Sequence, residues 1–148
     1  WVKSISNISY KLEDAHQGQS ATEAEEIKLI FLTPPIDKMD PQVLNTLTKC
    51  VRLSLSSNNI DKMVNLPNLS KIIFLRFILT GNLEVLSLSR NQIKKISGLE
   101  EVGQTLRELW LSYNLIEKLD GLQPCQKLQV LYIGNNKIKN PDEIDKLV

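Results

Sequence analysis

The sequence is short of the residue types from which most active sites are built. Its 148 residues include one histidine, His16, and two cysteines, Cys50 and Cys125, 75 positions apart. No zinc site of ordinary ligand spacing can be assembled from these three. A catalytic triad would have to recruit His16 from a polar segment ahead of the first clear core element, so composition points away from an enzyme and no cofactor is expected. Charge of one sign is lacking too: 18 Lys and Arg against 17 Asp and Glu leave a net +1. A broad nucleic-acid footprint needs a basic excess, so nucleic acid is not an expected partner. The longest apolar run, Ile72 to Leu79 with Arg76 inside it, falls far short of the roughly 20 residues that span a bilayer. No basic-then-apolar leader opens the chain, and a membrane is likewise not expected as partner. The two thiols suit a reducing compartment, with the cytoplasm as the default.

What the chain does have is aliphatic residues. Leu and Ile supply 39 positions, while aromatics supply eight. Four segments superpose without gaps: Cys50-Val-Arg-Leu-Ser-Leu-Ser-Ser-Asn58, Leu83-Glu-Val-Leu-Ser-Leu-Ser-Arg-Asn91, Leu106-Arg-Glu-Leu-Trp-Leu-Ser-Tyr-Asn114 and Leu128-Gln-Val-Leu-Tyr-Ile-Gly-Asn-Asn136. Each continues with Ile two positions after the Asn, at Ile60, Ile93, Ile116 and Ile138. Three add a further apolar residue at Met63, Ile96 and Leu119, whereas the fourth has Pro141 there. This is a leucine-rich repeat, and four chance copies of a nine-residue pattern are not credible.

The repeat predicts an α/β solenoid: a short-stranded parallel sheet on the concave face, with helical or irregular segments on the convex face. In L-x-L alternate side chains point inward, a strand of period two. The Asn that follows can bond backbone groups exposed as the chain turns away, so Asn58, Asn91, Asn114 and Asn136 are expected to form a structural ladder. Cys50 and Cys125 fall where other repeats place Leu and read as buried structural thiols.

Intervals between the four ladder residues are 33, 23 and 22, so the first carries about 11 extra residues, and deleting Lys71 to Gly81 restores the period. That insertion is apolar and β-prone. It reads either as an added strand or partner-docking loop, or as a retained short intron framed at Ser70 and Thr80-Gly81, the preferred reading. Residues 1–10 are an uninformative leader, and 11–26 read as a helical N-terminal cap with Thr22-Glu23-Ala24-Glu25 as its start signal. The repeat domain covers 27–140, opening on a degenerate copy phased as Ile27-x-x-Ile30-x-Leu32, in which Pro34-Pro35 replaces the Asn end. Residues 141–148 look like the truncated start of a C-terminal region, because a solenoid stopping there would expose the last apolar edge.

With the inward positions assigned, the outward ones follow. The expected partner-binding residues are Arg52, Ser54, Ser87, Ser89, Arg90, Glu108, Trp110, Ser112, Tyr113, Tyr132 and Asn135, flanked by Ser56, Val85 and Val130. Trp110 and Tyr132 occupy the same position in adjacent repeats, the kind of exposed aromatic cluster that anchors protein interfaces; a flanking helix covering them is the alternative. Lys62, Lys94, Lys95, Lys118, Lys137 and Lys139 lie toward the convex side as solvated charge or a weak contact for an acidic surface such as tubulin.

The sequence resembles the leucine-rich-repeat light chain of axonemal outer-arm dynein over roughly residues 11–70 and 82–140. The resemblance is carried by Glu25-Glu26-Ile-Lys-Leu29, Pro34-Pro35-Ile-Asp-Lys-Met-Asp40, Leu53-Ser-Leu-Ser56 with Asn58, Leu86-Ser-Leu88 with Arg90-Asn91, and Glu108-Leu-Trp-Leu-Ser-Tyr-Asn114 with Ile116-Glu-Lys-Leu119. It implies a non-catalytic, monomeric subunit of a larger motor complex in the cilium or flagellum axoneme, within the cytoskeleton. Such a subunit would dock on a dynein heavy chain near the microtubule-binding stalk tip and regulate motility. Its concave sheet would make the contact, with Trp110, Tyr113 and Tyr132 at matching positions. The insertion has no counterpart in that family, and the family's further C-terminal repeat and terminal helix have none here. A regulatory scaffold of a phosphoprotein phosphatase, built on the same repeat subclass, is the alternative; a ribonucleoprotein component is disfavoured by the near-zero charge.

Overall fold

A computed structural model describes residues 21–66 and 83–147. Five three-residue strands form one parallel sheet: β1 (Glu26–Lys28), β2 (Arg52–Ser54), β3 (Val85–Ser87), β4 (Glu108–Trp110) and β5 (Val130–Tyr132). They lie side by side in chain order, β1 to β5. Each pairs in the same register with the next, so Ile27, Leu53, Leu86, Leu109 and Leu131 form one row. Sequential parallel neighbours joined by long connections are what a solenoid requires. The described parts of these connections are mostly irregular. One holds the four-residue helix α1 (Pro41–Leu44), which Asp40 caps by accepting a 2.8 Å bond from the Gln42 N–H. Single 3-10 segments occupy Ala21–Glu23 and Pro141–Leu147.

The inward positions build one continuous core. Leu86, Leu88, Ile93, Leu109, Leu111 and Ile116 are fully buried, because each is covered by the equivalent residue of the repeat on either side. The chain also closes up tightly where Gly98 and Gly121 turn at φ 74° and 94°. A Cβ at either would stand 2.2 Å from a carbonyl oxygen of the preceding repeat, that of Val64 or Ile96. Cys50 and Cys125 are buried in Leu positions and unpaired. Desolvation pushes their thiols up to about 12 and about 11 respectively, which keeps them protonated and unreactive at neutral pH.

The four ladder asparagines each tie two repeats together. Their amide nitrogens donate back to the preceding repeat: Asn58 to the Leu29 carbonyl at 2.7 Å, Asn91 to Leu55 at 3.1 Å, Asn114 to Leu88 at 3.0 Å and Asn136 to Leu111 at 2.9 Å. Their carbonyl oxygens accept from the N–H groups of Ile36, Ile60, Ile93 and Ile116 at 3.0–3.1 Å. Both ends of each amide are thus used by backbone groups that the turn strips of their sheet partners.

The first repeat is phased differently from the sequence expectation. Ile27 pairs with Leu53, so the inward residues are Ala24, Ile27 and Leu29, and the repeat begins three residues earlier than Ile27. Ile30, assigned to the strand core, is 43% exposed. Only this phase turns Glu26 and Lys28 outward while keeping apolar residues inward. Leu32 stands at the ladder position, and two extra residues around Pro34-Pro35 deliver Ile36 to the place that Ile60 takes in the next repeat. The part of the expected helical cap that falls among the described residues is therefore one 3-10 turn leading into a strand. The leader, residues 11–20 of the cap and the 71–81 insertion lie outside the described residues. β2 and β3 bond to each other directly in the common register, although their starts are 33 residues apart.

Candidate protein-binding face

The outward positions of the five strands form rows across the concave sheet. One row runs Lys28, Ser54, Ser87, Trp110, Tyr132, and a second runs Glu26, Arg52, Val85, Glu108, Val130. The small serines leave the centre open: a shallow depression is lined by Lys28, Arg52, Ser54, Val85, Ser87 and Trp110. At one side of it stand the two aromatics. The Trp110 and Tyr132 ring centroids are 4.2 Å apart with their planes tilted by 37°. Both remain exposed, Trp110 by 37% and Tyr132 by 48%, so no described helix covers them. Trp110 is oriented by its Nε1–H, which donates to Glu108 Oε2 at 3.2 Å.

Where the strands end, half-buried serine hydroxyls continue the surface. Ser56 and Ser87 share a 2.7 Å hydrogen bond, and Ser89 and Ser112 follow in the next two repeats. Beyond them the chain turns through left-handed residues that form a rim: Ser57, Arg90, Tyr113 and Asn135. The Arg90 guanidinium carbon lies 4.4 Å from the centroid of the Tyr113 ring, within cation–π range. Several charges on this side are already paired, Lys28 with Glu26 at 3.0 Å and Arg107 with Glu84 at 3.9 Å. Arg52 and Arg90 have no ion pair among the described residues.

The eleven residues expected to bind a partner therefore divide in two. Arg52, Ser54, Ser87, Glu108, Trp110 and Tyr132 share the sheet face, while Ser89, Arg90, Ser112, Tyr113 and Asn135 occupy the turn and rim that follow it. Sequence reasoning missed Glu26 and Lys28, which begin the two rows, and Phe31, which aligns with the rim and is 81% exposed. The spacing Ala24-x-x-Ile27-x-Leu29 was the signal for them, masked because Ala stands in for Leu. Lys62, Lys94 and Lys95 lie away from this face, around a separate depression with Asp61, Met63 and Ser97. Among the described residues no cluster of three or more His, Cys, Asp or Glu could hold a metal, and no helix is long and apolar enough to cross a membrane.

Comparison with known proteins agrees with this architecture. The family description "Leucine Rich repeats (2 copies)" matches residues 104–146, and "Leucine Rich Repeat" matches 82–102. The chain is 49% identical over 127 residues to dynein axonemal light chain 1 of Chlamydomonas reinhardtii, covering 86% of this chain and 58% of that protein. It is 46% identical over 106 residues to the same protein of Ciona intestinalis, covering 72% of this chain and 49% of the relative. For the Homo sapiens protein the values are 49% over 91 residues, 62% and 42%. The chain thus spans about half the length of the curated relatives it matches. Among solved structures, a chain of the Drosophila melanogaster SNF/U2A' complex superposes with a TM-score of 0.62 at 26% identity, covering 82% of this chain and 65% of that one. The repeat, the five-strand solenoid and identities near one half agree: the chain is a leucine-rich-repeat solenoid similar to dynein axonemal light chain 1.

Proposed function

We propose that this chain is a non-catalytic dynein light chain of the ciliary or flagellar axoneme. It binds a dynein heavy chain near the microtubule-binding stalk tip through its concave sheet, and it regulates motility as a monomeric subunit of the motor. The observation that carries this reading is the exposed Trp110–Tyr132 stack beside an open floor of serines. Stacked aromatics on a rigid sheet offer large contact area at little conformational cost, which is how interface anchors work. Regulation by a docked subunit needs only that its affinity differ between two states of the heavy chain.

The test is a binding measurement with purified axonemal heavy chain. Trp110→Ala combined with Tyr132→Ala is expected to weaken binding by at least about 2 kcal/mol, the scale of an interface hot spot. Both side chains are exposed, so the thermal midpoint of the variant should stay close to that of the parent. Undiminished heavy-chain binding by the double variant would remove the concave face as the site.

A further inference from the structure

In all five repeats the residue before the ladder position is held in the left-handed region: Phe31 at φ 53°, Ser57 at 55°, Arg90 at 56°, Tyr113 at 59° and Asn135 at 57°. The backbone dictates this conformation whatever the side chain. The N–H groups of Phe31, Ser57, Arg90 and Tyr113 donate to the carbonyls of Ser56, Ser89, Ser112 and Gly134, each in the following repeat. Glycine or asparagine fills such a position at least cost, since a Cβ crowds the following carbonyl oxygen. Asn135 is of that favoured kind. Arg90 and Tyr113 are not; they are large and exposed, and they contribute nothing to the core. Bulky side chains kept at strained surface positions mark places where the side chain itself is used.

Their chemistry indicates the use. The Arg90 guanidinium carbon lies over the Tyr113 ring, 4.4 Å from its centroid, a contact that holds the group in place without using its N–H donors on an acceptor oxygen. The N–H edge, the part that matches a carboxylate in two parallel bonds, has no acidic partner among the described residues. Tyr113 is three residues from Trp110 in the same repeat, so the rim and the aromatic stack border one surface.

We infer that Arg90, held in place by Tyr113, binds a carboxylate of the segment that docks on the concave sheet. The occupant is then a protein segment with an apolar residue to cover Trp110 and Tyr132 and an Asp or Glu that reaches the rim. This rests on the heavy-chain reading above and assigns the chemistry of the contact. Tyr113 is a positioning residue: it acts through Arg90.

The test titrates purified axonemal heavy chain against the whole chain and its variants at several salt concentrations. Arg90→Gln should weaken binding by about tenfold, the value of a charge-assisted hydrogen bond. It should also flatten the salt dependence, and Arg90→Glu should weaken binding further. Tyr113→Phe keeps the ring and should bind like the parent, while Tyr113→Ala should lose part of the affinity. Arg90→Gly and Tyr113→Gly should raise the thermal midpoint while weakening binding, a combination that a purely structural residue does not give. If Arg90→Gln binds like the parent while the Trp110 and Tyr132 double variant does not, the rim contact is wrong and the concave site stands. If every variant binds like the parent, both readings fall. A lowered midpoint in both glycine variants would show that the two residues serve the fold and would overturn the inference.

Discussion

The repeat that carries β4 and the last described one, which carries β5, are built on the same pattern but packed differently. Leu106, Leu109, Leu111 and Ile116 are fully buried, whereas their counterparts one repeat later, Leu128, Leu131, Ile133 and Ile138, are only partly so. The ladder shows the same gradient: Asn91 and Asn114 are buried, and Asn136 is partly exposed. Among the described residues β4 has a strand on either side and β5 has one. A repeat's stability is the sum of its own small contribution and of its interfaces, so the same residue is worth more with two neighbours than with one.

The sharpest way to break this comparison is to delete the same side chain in both places. Leu109→Ala should cost about 2–5 kcal/mol in urea denaturation, as for a fully buried leucine, and Leu131→Ala distinctly less. Equal losses would mean that the two repeats are equally supported. The glycines sharpen it next. Gly121→Ala meets the Ile96 carbonyl at 2.2 Å with φ at 94°, and should cost about 2–4 kcal/mol from strain and overpacking together. Gly134 has nothing within 4 Å of an added Cβ, so Gly134→Ala should change the thermal midpoint little.

Smaller effects follow in the ladder. Asn91→Ala strands the Ile60 N–H in the buried interior, at about 1–3 kcal/mol, while the Leu55 and Leu88 carbonyls keep Asn58 and Asn114 as donors. Asn136→Ala should cost less, since water can reach that site. Chemical denaturation of the two variants side by side separates them.

The smallest expected effect is a pH dependence where the 3-10 segment Pro141–Leu147 meets Leu119 and Asp120. Glu143 lies in that 3-10 segment and accepts from the Leu119 N–H at 2.7 Å, while Lys146 bridges it to Asp120. The Lys146 ammonium holds both carboxyls below their ordinary values, and they in turn raise Lys146. Carboxyls with a lowered folded-state pKa stabilise above their unfolded values of about 4 and lose that contribution as pH falls through the folded values. The raised lysine contributes below its unfolded value of about 10.4 and loses that as pH rises through its folded value. Hydrogen exchange at Leu119 should therefore speed up relative to Leu86 in acid beyond the intrinsic rate, and Lys146→Met should reduce the difference.

Much of this fold was legible in the sequence because each repeat restates the same rule. The inward leucines of four repeats, the ladder and both buried cysteines follow from spacing alone. The first repeat was legible only in outline. Ala24 stands where Leu is usual and Leu32 where Asn is usual, so a single copy offered two phases, and pairing of β1 with β2 selects between them. The candidate face was legible as a set of outward positions. Its division into sheet floor and rim was not, because Arg90 and Tyr113 come together only after a left-handed turn is repeated in two stacked repeats.

The sequence by itself determined the period, the inward residues of the four clear repeats and the asparagines of the ladder, since these depend on contacts repeated in every unit. The tertiary structure decided which distant outward residues become neighbours. Trp110 and Tyr132 are 22 positions apart in the chain and in contact across the sheet, because strand register carries equivalent positions of successive repeats to within one strand spacing, about 4.8 Å.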